Sequence, residues 1–336
     1  MKVLTHCWLP VTLAHGGWQI QVERTQSALQ SLGLEVEPLR WWDETQTADL
    51  IHYFGRMPAQ QIKFAQQKGV RIVMADLLTG GGSRSKTQLL VQKIITRTVE
   101  RIAPPDFVAA FNWESYRLAD AVIAITPWEA HLMHYVYGAP QEHIHVVANG
   151  VEDIFLNAAG AVRGNYLVCT ATITERKRVL ELAEAAVRAK TPLWVIGRAY
   201  AESDAYAQKF FALARQHSEI IRYEGAIQDR VRLADIYRTA RGFVLLSTME
   251  TSSLSAAEAS ACGCPLLLSN LPWARTVFGE AARYCPPVQS VDRTAGVLRA
   301  FYNAAPSLPP PPRPPSWMEI GRQLKAIYEQ VLSTSR

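Results

Sequence analysis

Cysteine is scarce in this chain: five residues in 336, at Cys7, Cys169, Cys262, Cys264 and Cys285. A small, odd and scattered set argues against a disulfide framework. Cys262-Gly-Cys264 has neither the usual zinc spacing nor a second ligand pair nearby, so these read as small buried thiols. Long apolar runs are also absent. No stretch approaches the roughly 20 residues that span a bilayer, and Met1–Pro10 holds no apolar region of signal-peptide length. The expectation is a cytoplasmic protein. No array of basic residues interleaved with aromatics appears, so nucleic acid is not an expected partner. No aspartate pair with metal-ligand character appears either, and no metal is expected. What is present is 49% hydrophobic and 19% charged residues, the balance of a globular protein with large cores. The length suits two domains. The net charge of +5 is uneven: residues 1–150 hold 13 Lys and Arg against 13 Asp and Glu, and residues 151–336 hold 22 against 17. A basic second half is compatible with a phosphate-bearing ligand there.

Short apolar runs alternate with longer amphipathic stretches. Strand-like segments are Val3–Thr5, the region from Val36, Asp49–Phe54, Val70–Met74, Ala121–Thr126 and His145–Val147. Between them Gln19–Leu32 and Pro127–Tyr137 read as helices. After Asn149-Gly150 the rhythm restarts with strands Tyr166–Thr170, Leu193–Ile196 and Phe243–Leu246, and helices Val179–Ala189 and Arg230–Ala240. Strand–helix alternation of this kind builds parallel sheets from βαβ units. Two such series in tandem predict two doubly wound α/β domains with a cleft between them. The proline-rich stretch Pro306–Pro315 cannot be a helix or a central strand and reads as an extended linker. A last helix, Trp317–Leu332, follows with apolar Ile320, Leu324, Ile327, Tyr328 and Val331 on one side.

The segment Phe243–Asn270 carries the most information. Its strand runs into a loop rich in hydroxyl residues, Ser247–Ser253, then a helix over Leu254–Ala261 that Gly263 and Pro265 stop, then a strand from Leu266. Glu250 sits on the loop and Glu258 about one turn inside the helix. Open α/β sheets bind ligands at the carboxyl ends of their strands, and the helix start suits a phosphate. Two carboxylates beside an anion site make sense if they hydrogen-bond neutral hydroxyls, which sugars and riboses supply.

This pattern resembles the E-x7-E signature of retaining, nucleotide-sugar-dependent glycosyltransferase family 4, among the glycosyl transferases group 1. The segment Ala119–Phe155 is similar too: a strand ending at Thr126, a helix, the turn Tyr137-Gly138, then Asn149-Gly150-Val151. The resemblance runs over nearly the whole chain and is best over residues 119–270. It implies a GT-B fold of two Rossmann-like domains: an acceptor-binding domain over 1–155, a nucleotide-sugar-binding domain over 156–305, and over 306–336 a linker and a crossover helix packing back toward the first domain. It implies a hexosyltransferase-type enzyme that moves a sugar from a nucleoside diphosphate sugar to a glycan or lipid-linked acceptor hydroxyl with retention, as in glycan, polysaccharide or glycolipid synthesis, with no cofactor or metal.

The same resemblance assigns roles. Lys177 stabilises the departing diphosphate, where nearby cations offset developing charge. Glu250 holds donor-sugar hydroxyls, Glu258 binds the ribose, and Thr251, Ser252, Ser253 and Leu254 offer backbone N–H groups. Gly16 and Gly17, between the first strand and its helix, let a ligand approach the backbone. Three positions depart from the family. Thr172 stands where an arginine is usual, with Arg176 and Arg178 the nearest alternatives. Ser253 replaces a glycine. Ala75 replaces a histidine, leaving Asp76 (an acceptor contact or a loop cap) and His15 as candidate cleft residues. Two rival readings are a sugar-nucleotide epimerase and a non-catalytic GT-B protein that binds sugar nucleotide weakly. Finally, Ser85–Ile102 carries a basic stripe, Lys93, Arg97 and Arg101, at i+4 spacing. Such a helix either makes a peripheral contact with the inner face of a membrane or packs on its own domain with a solvated basic face.

Overall fold

The computed structural model describes residues 1–7, 16–157 and 161–334. The chain divides into two compact units, one of Met1–Gly150 with the segment from Trp317 onward, the other Val151–Ser316. The first unit holds a six-stranded sheet of order β2-β1-β3-β4-β5-β6. Its strands are β1 (Lys2–Cys7), β2 (Glu35–Pro38), β3 (Leu50–Phe54), β4 (Arg71–Ala75), β5 (Ala121–Ala124) and β6 (Ile144–Val146). The second unit holds a six-stranded sheet of order β12-β11-β10-β7-β8-β9, built from β7 (Leu167–Thr170), β8 (Leu193–Ile196), β9 (Ile221–Tyr223), β10 (Gly242–Leu245), β11 (Leu266–Ser269) and β12 (Ala282–Cys285). Every pairing in both sheets is parallel. Parallel sheets are covered on both faces, so their strands are apolar throughout rather than alternating. Accordingly β5, β8, β10 and β11 are buried at every position. No helix among the described residues is long and apolar enough to cross a membrane.

The winding direction of each sheet reverses once. In the second unit β7 is followed by β8 on one side, and β10 lies on its other side; in the first unit the reversal falls between β1 and β3. At such a switch point the loops leaving adjacent strands diverge and open a crevice at the carboxyl ends.

The boundary between the units differs from the expected 155/156. The backbone N–H of Val151 donates to the Pro315 carbonyl at 2.9 Å, and Val151 bridges Ser316 in parallel, which ties the segment after Gly150 to the second unit. The proline stretch starts in a short 3-10 turn, Ala305–Ser307, and then runs without regular structure, but it is no free linker. Ser260 Oγ donates to the Pro312 carbonyl at 2.6 Å. Carbonyls are the one backbone group that a proline run can offer, and the second unit uses them.

The terminal helix Trp317–Ser333 packs against the helix Gly17–Ser31 of the first unit. Its buried side chains include Ile320, Leu324, Ile327, Tyr328 and Val331, the positions read from the sequence. Gly321 permits the close approach: a Cβ there would lie 3.0 Å from Ala28 Cβ and 3.1 Å from Leu32 Cδ1. The Tyr328 hydroxyl pairs with Nδ1 of the buried His52, whose ring stacks on Phe54 with centroids 4.2 Å apart. Burial pushes the His52 imidazole down to about 3, so it stays neutral.

The helix Lys86–Ile102 presents a different face from the one expected. Ser85 caps it through a capping box with Gln88. Part of the basic stripe packs on the protein: Lys93 Nζ sits 3.9 Å from the centroid of the Tyr135 ring, while Arg97 is half-buried and Arg101 stays exposed. A cation over an aromatic face gains more than the same cation in water. Leu90, Val91, Ile94, Ile95 and Ile102 are exposed instead.

Glu129 joins two loops at the carboxyl end of the first sheet. Its N–H donates to Thr126 Oγ1 at 3.1 Å. Its carboxyl oxygens accept from the backbone N–H groups of Leu78, at 2.7 Å, and Ile125, at 2.9 Å. Burial pushes this carboxyl up to about 8, against those two donors. A folded-state value raised above the unfolded value of 4.5 contributes stability that is fully present below pH 4.5 and lost as pH rises through about 8. The melting temperature is therefore expected to fall between pH 5 and 9. Glu129→Gln should flatten that dependence while lowering the acid-side melting temperature, because an amide accepts one N–H fewer. Melting curves of both proteins across the range check this; an unchanged slope in the variant would refute it.

Candidate functional site

The switch point of the second unit brings together residues that stand 74 positions apart in sequence. β7 ends at Thr170, and a loop with a short turn at Glu175–Lys177 leads into the helix Val179–Ala189. β10 ends at Leu245, and the loop after it leads into the helix Leu254–Ala261. The Arg176 carbonyl accepts from both the backbone N–H of Thr248, at 2.8 Å, and its hydroxyl, at 3.3 Å. Arg176 Nη1 donates to the Met249 carbonyl at 2.8 Å and to Glu250 Oε1 at 3.1 Å. Lys177 Nζ donates to the same carboxylate oxygen. The Glu250 side chain is nearly buried, at 8% exposure, whereas that of Arg176 remains 36% exposed. Two cations and one carboxylate thus share a crevice wall at the carboxyl ends of β7 and β10.

Ser253 caps the helix that follows. Its hydroxyl accepts from the Ala256 N–H at 3.2 Å and lies 3.2 Å from the Ser255 hydroxyl. Thr251 and Ser253 are buried, with Ser252 and Leu254 half-buried. The first N–H groups of any helix lack intrahelical acceptors, and the positive end of its dipole attracts an anion. Backbone donors and two cations therefore line the same loop.

Glu258 lies inside that helix, in a separate cluster. Arg230, at the start of the helix Arg230–Thr239, donates through Nη2 to Glu258 and through Nε to Glu152 Oε1 at 2.8 Å. Its guanidinium also stacks over Phe155, 4.7 Å from the ring centroid. Burial pushes the Glu258 carboxyl up, and the Arg230 charge works against that shift. Neither Arg230 nor Glu152 stood out in the sequence. A cation that meets a carboxylate 28 residues away leaves no local spacing signal.

Of the two arginines considered for the Thr172 vacancy, the structure separates one from the other. Arg178 is buried in a left-handed backbone conformation, φ 52°, and its guanidinium is spent on the Pro287 and Gln289 carbonyls. Arg176 points to Glu250. Thr172 itself is half-buried in the loop after β7.

In the first unit, Gly16 precedes the helix Gly17–Ser31 with φ 132° and ψ −154°, a conformation that side chains exclude. Asp76 follows β4 and accepts from Arg56 Nε at 3.1 Å and from the Tyr116 hydroxyl. The Arg56 guanidinium lies 4.9 Å from the Tyr116 ring centroid and 5.0 Å from that of Tyr137. Ala75 is buried at the end of β4. His15 lies outside the described residues. Glu129 was missed, although Thr126-x-x-Glu129 before an apolar helix is a capping-box signature. Among the described residues, no three His, Cys, Asp or Glu side chains cluster as a metal site.

Comparison with known proteins bears on this geometry. Residues 164–303 match the family model described as glycosyl transferases group 1. Over 211 residues the chain is 28% identical to mannosylfructose-phosphate synthase of Agrobacterium fabrum, covering 55% of this chain and 46% of that protein. The chain therefore spans about half the length of that curated relative. Sucrose-phosphate synthase of Thermosynechococcus elongatus superposes with a TM-score of 0.70 at 18% identity, covering 100% of both chains. HepE of Anabaena, solved in complex with UDP, superposes with a TM-score of 0.64 at 13% identity over 98% of this chain and 100% of its own. The chain thus has the GT-B fold of these glycosyltransferases and carries, in the unit that holds Arg176, Lys177, Glu250 and Glu258, a glycosyl transferases group 1 domain.

Proposed function

We propose that this protein is a retaining glycosyltransferase of family 4 that moves a hexose from a nucleoside diphosphate sugar to an acceptor hydroxyl in glycan or glycolipid synthesis. The observation that carries this reading is the convergence of Arg176 and Lys177 on Glu250 at the β7–β10 switch point. In the reaction the bond between the anomeric carbon and the diphosphate oxygen breaks. The acceptor oxygen bonds to the same face of that carbon, and its proton passes to the leaving phosphate. The protein has no covalent step to perform. Its task is to stabilise charge that grows on the diphosphate, for which preorganised cations are effective.

Arg176 takes the part of the arginine that Thr172 lacks. A guanidinium has five N–H donors and an ammonium three, so both groups keep donors beyond those given to Glu250. Glu250 orients the two cations and accepts hydroxyls of the donor sugar. Glu258, steadied by Arg230, accepts from the ribose. Thr251, Ser252, Ser253 and Leu254 present N–H groups to sugar and phosphate. By the family resemblance, Gly16 and Gly17 are assigned to the donor phosphates, and His15 and Asp76 to the acceptor. No metal takes part. UDP is the first nucleotide to test, because HepE binds it. The acceptor is a glycan or a lipid-linked glycan. The protein works in the cytoplasm with a peripheral membrane contact, made by the exposed apolar face of Lys86–Ile102 with Lys86 and Arg101 reaching anionic headgroups.

With UDP- and GDP-sugars at saturation, Lys177→Ala should lower donor hydrolysis and transfer about a hundredfold, roughly 3 kcal/mol in the barrier. Arg176→Ala should lower them in the same direction, Thr172→Arg should leave them intact, and excess chelator should have no effect. A wild-type rate in Lys177→Ala would make the non-catalytic reading the better one. Glu258→Gln should weaken UDP binding in calorimetric titration at little change in kcat, whereas Glu250→Gln should lower kcat, because a ribose contact acts equally in ground and transition states. Equal effects of the two on both quantities would sink the assignment. Ile94→Glu with Ile95→Glu should abolish co-sedimentation with phosphatidylglycerol vesicles without altering hydrolysis of soluble donor; undiminished sedimentation would remove the membrane contact.

A further inference from the structure

Trp41 and Trp42 are 82% and 68% exposed. Each carries one of the largest apolar surfaces a side chain can have, and neither is placed in the core of its unit. Their rings meet edge to face, centroids 5.6 Å apart at 89°, and so form a corner with two walls. The turn beneath them is held firmly. Arg40 donates through Nε to Asp43 Oδ2 and through Nη1 to Glu37 Oε2, each at 3.0 Å. The Arg40 N–H donates to Gln46 Oε1 at 2.8 Å. Gln46 Nε2 donates to Glu37 Oε2 at 3.1 Å and to the Pro38 carbonyl at 3.0 Å. Thr45 closes the turn on Asp43 Oδ1 from its N–H at 3.1 Å and its hydroxyl at 2.6 Å. These bonds order the turn that carries the two rings, so the backbone there loses little conformational entropy when something binds.

The turn's place in the fold is also defined. β2 runs parallel to β1, with Pro38 beside Thr5, and the Leu39 N–H donates to the Thr5 carbonyl at 2.8 Å. The chain therefore leaves β2 at the carboxyl end of the first sheet, the same end at which Gly16 and Asp76 stand.

We infer that Trp41 and Trp42 form a docking platform for a saccharide. A pyranose has an apolar face of axial C–H groups and a rim of hydroxyls. The C–H face suits the negative face of an indole ring, and the rim needs acceptors at the edge of the platform. The exposed Glu44 supplies a carboxylate there. The charges of this segment disfavour an anionic bilayer, the other common partner of surface tryptophan: residues 40–49 contain Arg40 as their one cation against Asp43, Glu44 and Asp49. In the transferase reading, on which this deepening rests, the platform holds sugar units of the acceptor, which makes the acceptor an oligosaccharide rather than a small alcohol.

The test titrates the full chain with maltohexaose, mannohexaose and chitohexaose, following tryptophan fluorescence and heat, and repeats it for Trp41→Ala, Trp42→Ala and the double variant. Both positions are exposed, so the variants should melt like the wild type. At least one hexasaccharide should bind, at least tenfold more weakly in either single variant, with Phe at either position restoring part of the loss and UDP affinity unchanged throughout. Three results would overturn the inference: no hexasaccharide binds, binding survives in the double variant, or the double variant loses affinity for phosphatidylglycerol vesicles instead. Donor hydrolysis separates this from the transferase reading. Hydrolysis without saccharide binding leaves the transferase and removes the platform; saccharide binding lost in the variants, without any binding or turnover of nucleotide sugars, leaves the platform and removes the transferase.

Discussion

The candidate site depends on one contact, the grip of the Arg176–Lys177 turn on the loop after β10. Two loops that diverge at a switch point would otherwise be free to part, since no strand ladder joins them beyond Leu245. The Arg176 carbonyl holds Thr248 from one side, and the Arg176 and Lys177 side chains hold Met249 and Glu250 from the other. Backbone and side chain of one residue thus fasten the same loop twice. The carboxylate is largely withdrawn from water, so its attraction to the two cations is screened little compared with a surface pair. The cations in turn are held near one another, which their mutual repulsion would otherwise oppose. Glu250 is the group that offsets the repulsion between Arg176 and Lys177 in this crevice.

The second carboxylate is handled differently. Glu258 is buried, and a buried unpaired charge is costly. Arg230 offsets that cost, and it is itself divided between Glu258 and Glu152 and backed by Phe155. The two glutamates of the motif therefore sit in unlike settings, one beside two half-buried cations and one in an ion network with Arg230 and Glu152. The proposed division of roles between them is consistent with that difference but rests on the family resemblance.

The first unit uses the carboxyl end of its sheet in the same general way, with side chains that tie loop to loop. Asp76 is bound to Arg56 and Tyr116, Glu129 to the backbone at Leu78 and Ile125, and the turn after β2 to itself through Arg40 and Gln46. The result is a rim of ordered loops above a buried parallel sheet. Apolar side chains left exposed on this unit include the tryptophan corner, the outer face of Lys86–Ile102, Phe64, Phe107 and Phe111.

Most of the parallel strands, several of the helices between them and the motif of Glu250 and Glu258 were legible in the sequence, because each rests on short-range periodicity or on a local order of strand, loop and helix; the strand Ala282–Cys285 and the helices Ala59–Gln67, Ala205–Gln216 and Val291–Ala304 were not read. The helices Pro127–Tyr137 and Leu254–Ala261 begin at the capping hydroxyls of Thr126 and Ser253 and end at or just before a glycine. The terminal helix showed its buried positions through a 3.6-residue repeat. What the tertiary structure decided is everything that depends on the identity of a distant neighbour. Arg176 rather than Arg178 faces Glu250, because a left-handed residue turns the second guanidinium toward the Pro287 loop. Arg230 and Glu152 join Glu258 from other elements. Lys93 of the basic stripe on Lys86–Ile102 packs inward, because Tyr135 on a neighbouring helix offers it a ring, while Arg101 stays exposed. The proline stretch belongs to the second unit through carbonyls that no side-chain pattern reports. Periodicity tells a chain which face to bury; only the folded neighbours determine which charge each buried or half-buried group will meet.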